Sequence, residues 1–298
     1  MVRKKGLGKW AFDIFNYVFM LSVAFICIAP LLHVFFMAIS DPGIVNTKSG
    51  IMLWPEGKIS FNGFRLIFRN PNIIGGYINT IFYVVVGTSI SMLFTVISGY
   101  VLSRKSLKYR NVLMFIVTFT MLFNGGLIPF YLTVKNIGLL DSRWSMLIPS
   151  ALNVMNIIIM RTAFLAIPDS LEESARLDGA NDLTILFVVL LPLVKATVAV
   201  IALFYAVGKW NEWFFASIFL KKRELYPLQL FLREILLQNQ NAVDSGSVAQ
   251  QIVADNLDIY KPLIKYATIL VSTVPILCIY PFVQKYFVKG VMIGSIKG

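Results

Sequence analysis

Charged residues are scarce in this chain, and acidic ones scarcest. Of 298 residues, 14% are Asp, Glu, Lys or Arg, and 15 in all are acidic. A soluble domain carries about 25% charged residues. A globule of this size with so few polar groups would leave its surface apolar in water. One histidine, His33, makes no metal centre. The two cysteines, Cys27 and Cys278, sit deep in apolar runs. They imply no disulfide framework and read as buried thiols. No glycine-rich run ends in Gly-Lys-Ser or Gly-Lys-Thr. The chain therefore carries no P-loop and no catalytic residue is assigned to it.

Apolar residues fill the space. The hydrophobic fraction is 57%, with 24 phenylalanines, and the mean hydropathy is +0.75. Residues 15–40, 70–103 and 111–134 hold no Asp, Glu, Lys or Arg, and neither do 144–160, whose apolar character continues past Arg161 to Ile167. Residues 183–208 are interrupted only by Lys195, and 262–284 only by Lys265. Each run approaches the roughly 20 residues a helix needs to cross the hydrocarbon layer. Strands of a barrel would be shorter and would alternate polar with apolar. The chain reads as an all-α membrane protein with six transmembrane helices, at about 15–38, 78–102, 111–132, 145–165, 187–207 and 263–284. The first run has no small-x-small cleavage site at its end and reads as a retained span rather than a signal peptide.

The net charge of +12 does not point to nucleic acid. A nucleic-acid binder gathers its Lys and Arg on one soluble face, whereas here they form short clusters between apolar runs, as in a protein facing anionic lipid. With the N-terminus inside, the inner segments (about 1–14, 103–110, 161–182 and 284–298) hold 13 basic residues in about 59. The outer segments (about 40–76, 135–143 and 209–261) hold 12 in about 99. The cluster Arg104, Lys105, Lys108 and Arg110 carries the bias, which places both termini in the cytoplasm. Two outer loops are too long for plain connectors. The first holds the turn signals Asp41-Pro42-Gly43 and Trp54-Pro55-Glu56-Gly57. In the last, Tyr226 to Leu237 has apolar residues at helical spacing, and Gln238 to Gln251 reads as polar and mobile.

The most specific segment runs from Ile167 to Asp182, between spans four and five. Pro168 breaks the preceding helix, and Asp169 or Ser170 can cap the next. Glu172 and Glu173 lie near its positive end. Gly179 permits a sharp reversal, and Asn181 or Asp182 can cap a second short helix, which runs into span five through Pro192. The result is two short helices on the cytoplasmic face, with Leu171, Ala175 and Ala180 packed down and the charges left for a partner.

Glu173-Ser174-Ala175, three residues, Gly179, nine residues, then Val189-Leu190-Leu191-Pro192 resembles the EAA signature of permease subunits in binding-protein-dependent ABC importers. Ser174 replaces the usual Ala and Val189 the usual Ile. Asp178-Gly179-Ala180 is similar to the corresponding segment of sugar permeases, and Trp210-Asn211-Glu212-Trp213 to one in the maltose-type second permease. Leu122 to Pro129 and Asn136 to Asp141 resemble a narrower group that takes up oligosaccharides from complex polysaccharides. The likeness covers essentially the whole chain.

The resemblance implies a type I ABC importer permease fold in the bacterial cytoplasmic membrane. It implies a short inner segment at 1–14, one transmembrane domain over 15–298, and coupling helices at about 168–187. It assigns Glu172, Glu173, Ala175, Arg176, Asp178, Gly179, Ala180 and Pro192 to coupling with an ATPase. It assigns Trp210, Asn211, Glu212 and Trp213 to the substrate path or to contact with a binding protein. The implied partners are a second homologous permease, two copies of a cytoplasmic ATPase that bind ATP and Mg, and an extracytoplasmic solute-binding protein. No metal or cofactor is expected in this chain. A permease for a peptide or an amino acid is the alternative reading, and a solitary six-span scaffold or channel a third. Outside these motifs, His33 reads as a packed residue. Asn79, Asn124, Asn153 and Asn156 read as pore-lining or interhelical polar groups. Lys195 reads as snorkelling to the inner interface, and Lys221-Lys222-Arg223 as a docking or acid-binding run or a plain loop.

Overall fold

The computed structural model describes residues 7–48, 50–241 and 260–295, and among them every regular element is helical. The chain divides into two compact units, Met1–Asn70 with Glu234–Val274 and Pro71–Arg233 with Pro275–Gly298.

In the first unit α1 (Leu7–Ile39) is apolar on all sides, and none of its membrane-length window is buried within the chain. Asp41, Pro42 and Gly43 make the expected turn. Asp41 accepts the Gly43 amide at 2.9 Å and Pro42 opens α2 (Pro42–Thr47), where its missing N–H costs nothing. The loop beyond folds back on α1 through Ser60 N to Ile39 O at 2.9 Å and is continued by α3 (Asn62–Arg69). His33 Nδ1 accepts the Met52 amide at 2.9 Å, and its ring meets Tyr266 edge-on. It is the packed residue its isolation suggested.

In the second unit α4 (Pro71–Ser103) is the central post. One stripe of it is small or polar and buried, with Gly76, Thr80, Gly87, Ser91, Thr95 and Gly99 among its members. A Cβ on Gly99 would sit 2.7 Å from Met160 Cγ, so the helices touch at backbone distance, as membrane helices do where small residues line the contact. Met160 belongs to α8 (Val154–Leu165), and α4 also packs along α12 (Lys195–Trp210). Thr95 Oγ1 and Tyr205 OH share a hydrogen bond of 2.7 Å across that second contact.

Three of the expected spans are broken into shorter helices. Residues 111–132 are not one helix. They comprise α5 (Arg110–Leu122) and the first part of α6 (Leu127–Asn136), set at 114° to each other. The break falls at Asn124-Gly125-Gly126, where Asn124 Oδ1 accepts the Gly126 amide and Gly126 takes φ +88. Residues 145–165 divide into α7 (Trp144–Leu147) and α8, with Asn153 capping α8 through the Asn156 amide at 3.2 Å. Asn124 and Asn153 thus shape helix ends. Residues 187–207 bend by 89° between Asp182–Leu193 and Lys195–Trp210. Within this stretch α10 (Asp182–Thr184) leads into a π-helical turn (Ile185–Leu190) and α11 (Leu191–Leu193). Pro192 lacks an N–H, so the ladder cannot pass through it unbroken. Among the described residues three helices are long and apolar enough to cross a membrane by themselves, Gly8–Ile39, Pro71–Ser103 and Lys261–Ile279. The third bent pair is Val154–Leu165 with Asp169–Leu177, at 73°, and with each bent pair counted as one crossing the total is up to six.

Past α12 come α13 (Phe214–Phe219), a 3-10 turn (Arg223–Leu225), α14 (Leu228–Asn241) and α15 (Lys261–Ser295). The helical spacing at 226–237 is realised in α14. Gln238 to Asn241 prolong that helix rather than starting a polar loop, and 242–251 lie outside the described residues. Cys27 and Cys278 are exposed, not buried. In a membrane chain an apolar run signals lipid or a neighbouring subunit as readily as a core, so hydropathy does not report burial.

Candidate functional site

α9 (Asp169–Leu177) begins after Pro168, which stands at the N-cap with extended backbone and no capping side chain. Asp169 and Ser170 are therefore not the cap. Asp169 lies in the first turn, where its charge suits the helix dipole, and pairs with Lys105. Glu172 is the hub of the segment. Its carboxylate takes Arg104, from just past the C-terminal end of α4, on one side, and Arg176 at 3.1 Å on the other. Arg176 also reaches Asp182 Oδ1 at 2.6 Å. Arg104 stacks over the Tyr100 ring at 4.1 Å, and partial burial holds its pKa below the ordinary arginine value. Arg104, Lys105, Asp169, Glu172, Glu173 and Arg176 line a cleft of about 620 Å³ beside the first turns of α9.

The helix ends in a Schellman motif. Ala180 N bonds to Ala175 O at 3.0 Å, and Gly179, at φ +82, supplies the left-handed residue between them. Asn181 Oδ1 then caps α10 through the Thr184 amide at 2.8 Å. Ala175 and Ala180 pack onto a core that includes Tyr100, Phe164, Ile185, Leu186 and Leu190. Leu171, expected to pack down, is 43% exposed. It lies one turn before Ala175, outside the core that Ala175 joins.

The structure thus joins Glu172, Ala175, Arg176 and Ala180 in one anchored unit and leaves Glu173, Asp178 and Gly179 exposed at its rim. Pro192 lies beyond the π-turn, next to the 89° bend. Two contributors were not assigned from the sequence. Arg104 holds Glu172, and its place in the basic cluster was the available signal. Leu177, the last residue of α9, is 89% exposed between charged neighbours. An apolar residue with no core face to occupy was the signal there.

The run 210–213 is knitted into its own chain. Trp210 is buried, with its ring 6.3 Å from that of Tyr77. Asn211 donates to Val207 O at 3.0 Å. Glu212, one residue before the N-cap of α13, accepts the Phe215 amide at 3.1 Å. Arg233 covers one face of Trp213 at 3.8 Å. Of the four, Glu212 borders a cavity of about 470 Å³, with Ser150, Asn153, Asn156, Tyr205 and Lys209. Asn79 lies elsewhere on α4, donating to Glu224 O at 2.6 Å and Tyr226 O at 3.1 Å.

The basic run 221–223 is tied down through its backbone while its residues stay exposed. The Lys221 and Lys222 amides both donate to Asp141 Oδ1 at 2.9 Å. These two bonds hold the Asp141 carboxyl below its ordinary value. Arg223 sits over the Tyr226 and Phe231 rings. Among the described residues no group of three His, Cys, Asp or Glu side chains could hold a metal ion.

Residues 91–293 match the family described as binding-protein-dependent transport system inner membrane component. The polygalacturonan/rhamnogalacturonan transport system permease protein YtcP of Bacillus subtilis strain 168 is 40% identical over 287 residues, 96% of this chain and 98% of that protein. Protein LplC of the same organism is 37% identical over 287 residues, 96% of this chain and 95% of that protein. Among solved structures, a chain of a bacterial ABC transporter involved in the import of the acidic polysaccharide alginate superposes with a TM-score of 0.84 and 35% identity. That match covers 96% of this chain and 100% of the other.

Proposed function

The chain belongs to the family of binding-protein-dependent transport system inner membrane components, and from that premise we propose that it imports an oligosaccharide released from a complex polysaccharide and is driven through the 169–182 segment by a cytoplasmic ATPase. It is an all-α, multi-pass protein of the bacterial inner membrane and a permease subunit of an ABC sugar-import system, forming part of the translocation pore. The proposed assembly pairs one transmembrane domain over 15–298 with a second permease, two ATPase copies that bind ATP and Mg, and an external binding protein. Both termini lie in the cytoplasm.

The observation that carries the coupling role is the mounting of Leu177. Leu177 is 89% exposed at the tip of a short helix and is free to meet a partner, and what distinguishes it is the anchored base on which it stands. Its base is fixed by Arg104–Glu172–Arg176 on one side and by Ala175 and Ala180 in the core on the other. A load applied at the tip is passed through α9 to the inner ends of α4 and α8. The 89° bend past Pro192 then carries it to α12, which borders the polar cavity. Relatives that transport polygalacturonan, rhamnogalacturonan and arabinooligosaccharides support sugar over peptide or amino acid as cargo.

The test is Leu177→Asp in the complete importer. The exposed side chain contributes little to the chain's own fold, so insertion and level are expected to be normal. Cargo-stimulated ATP hydrolysis is expected to fall at least about tenfold, since loss of an interface anchor costs about 2 kcal/mol or more. Undiminished stimulation would remove this surface from the coupling role.

A further inference from the structure

Lys209 is a cation in an expensive place. It lies one residue before the end of α12 and is 9% exposed. Its stem crosses α4 at Gly87, where a Cβ would come within 2.6 Å of Lys209 Cδ and 2.7 Å of Cε. The missing side chain of Gly87 is what gives the lysine room. Among the described residues its ammonium makes one hydrogen bond, to Ser150 Oγ at 3.3 Å. That hydroxyl gives its own proton to Met146 O at 3.0 Å, so it meets the lysine as an acceptor. Glu212 borders the same cavity and its charge acts on Lys209, but among the described residues the two make no direct ion pair, and Glu212 Oε1 is engaged by the Phe215 amide. A buried ammonium with donors left over is costly, and such a group facing a cavity is a candidate functional site.

The surroundings supply the rest of a site. Asn156 is 5% exposed, and its side-chain amide makes no hydrogen bond among the described residues. Asn153 uses its carbonyl oxygen for the cap of α8. Residues 148–153, between α7 and α8, are not helical, and irregular backbone at membrane depth is tolerated where protein or a water-filled cavity satisfies it. The volume of about 470 Å³ falls in the range of small-molecule sites, about 300–1,000 Å³.

We propose that Lys209 is an anion subsite on the transport path and that the cargo is acidic. The ammonium takes the carboxylate of a uronic acid unit, the Asn153 and Asn156 amides take its hydroxyls, and Glu212 accepts from a neighbouring hydroxyl. This rests on the oligosaccharide-import reading above and adds the cargo's charge to it. The 221–223 run meets Asp141 through the Lys221 and Lys222 backbone amides, and its exposed lysines lie outside the lining of this cavity.

The experiment uses the complete importer in proteoliposomes with its binding protein. The probes are trigalacturonate, its full methyl ester and a neutral trisaccharide. Lys209→Met keeps a flexible stem against Gly87 and removes the charge. Wild type is expected to move the acid at least tenfold faster than the ester. Lys209→Met is expected to lose at least tenfold on the acid and less than twofold on the ester. Lys209→Arg is expected to keep acid transport within about threefold, and with the wild-type acid-to-ester ratio it decides the matter if Lys209→Met fails to insert. Equal losses on acid and ester in a normally inserted Lys209→Met would make the lysine a packing element and overturn the proposal. So would a wild type that moves the ester or the neutral sugar as fast as the acid, which leaves the import reading intact. A wild type that moves none of the three overturns the import reading and this inference with it.

Discussion

Gly179 shows how one backbone angle sets a surface. At φ +82 it is the left-handed residue of the turn that ends α9, and a Cβ there would meet no atom within 4 Å. The constraint is therefore conformational and not a matter of space. Gly179→Asn is expected to retain coupling, because Asn tolerates this region. Gly179→Ala is expected to destabilise the turn by about 1–2 kcal/mol. Gly179→Pro, fixed near φ −65, is expected to abolish cargo-stimulated ATP hydrolysis while leaving the chain in the membrane. Stimulation of the Pro variant at the wild-type level would detach the turn from coupling. Glycine at this position and the acidic first turn of α9 were both legible in the sequence. That Glu172 binds Arg104, 68 positions earlier, was not, because an ion pair between distant residues leaves no local periodicity.

At the scale of elements, α4 organises the second unit through the residues it lacks. Gly76, Gly87 and Gly99 face Leu228 with Phe231, Lys209, and Met160 respectively, each closer than a Cβ would allow without a shift. Gly75, on the same helix, has open space where a Cβ would sit, with nothing within 4 Å. Gly99→Val is expected to cost about 1–3 kcal/mol through overpacking, and Gly75→Val to stay within about 0.5 kcal/mol. The melting temperature of the purified importer distinguishes them, and equal shifts would show that α4 does not depend on close approach. The stripe is hard to see in a hydropathy profile because glycine, serine and threonine barely interrupt an apolar run. The breaks at Gly126, Asn153 and Val194 are hidden for the same reason: hydropathy stays high across an interrupted helix.

For the whole molecule, topology is the open test of the charge pattern. In a variant with Cys27 and Cys278 replaced by Ala, a cysteine at exposed Ser106 is expected to react with a membrane-impermeant maleimide only from the cytoplasmic side, and one at Lys222 only from outside. Labelling of the Ser106 position from outside only would invert the topology. Six crossings, an all-helical fold and a helix–turn–helix at 168–187 followed from the sequence alone. Run length against bilayer thickness, the lysine and arginine clusters, and glycine and asparagine at turn positions are local properties of the chain. Tertiary structure decided which polar groups became functional candidates. It closed Trp210 and Trp213 into the chain's own contacts and left Lys209, an inconspicuous lysine at a helix end, facing a cavity. The physical reason is that a side chain's availability depends on what the rest of the fold has already paired with it. Pairing across 59 positions to Ser150, or 122 to Gly87, exists only once the helices have packed.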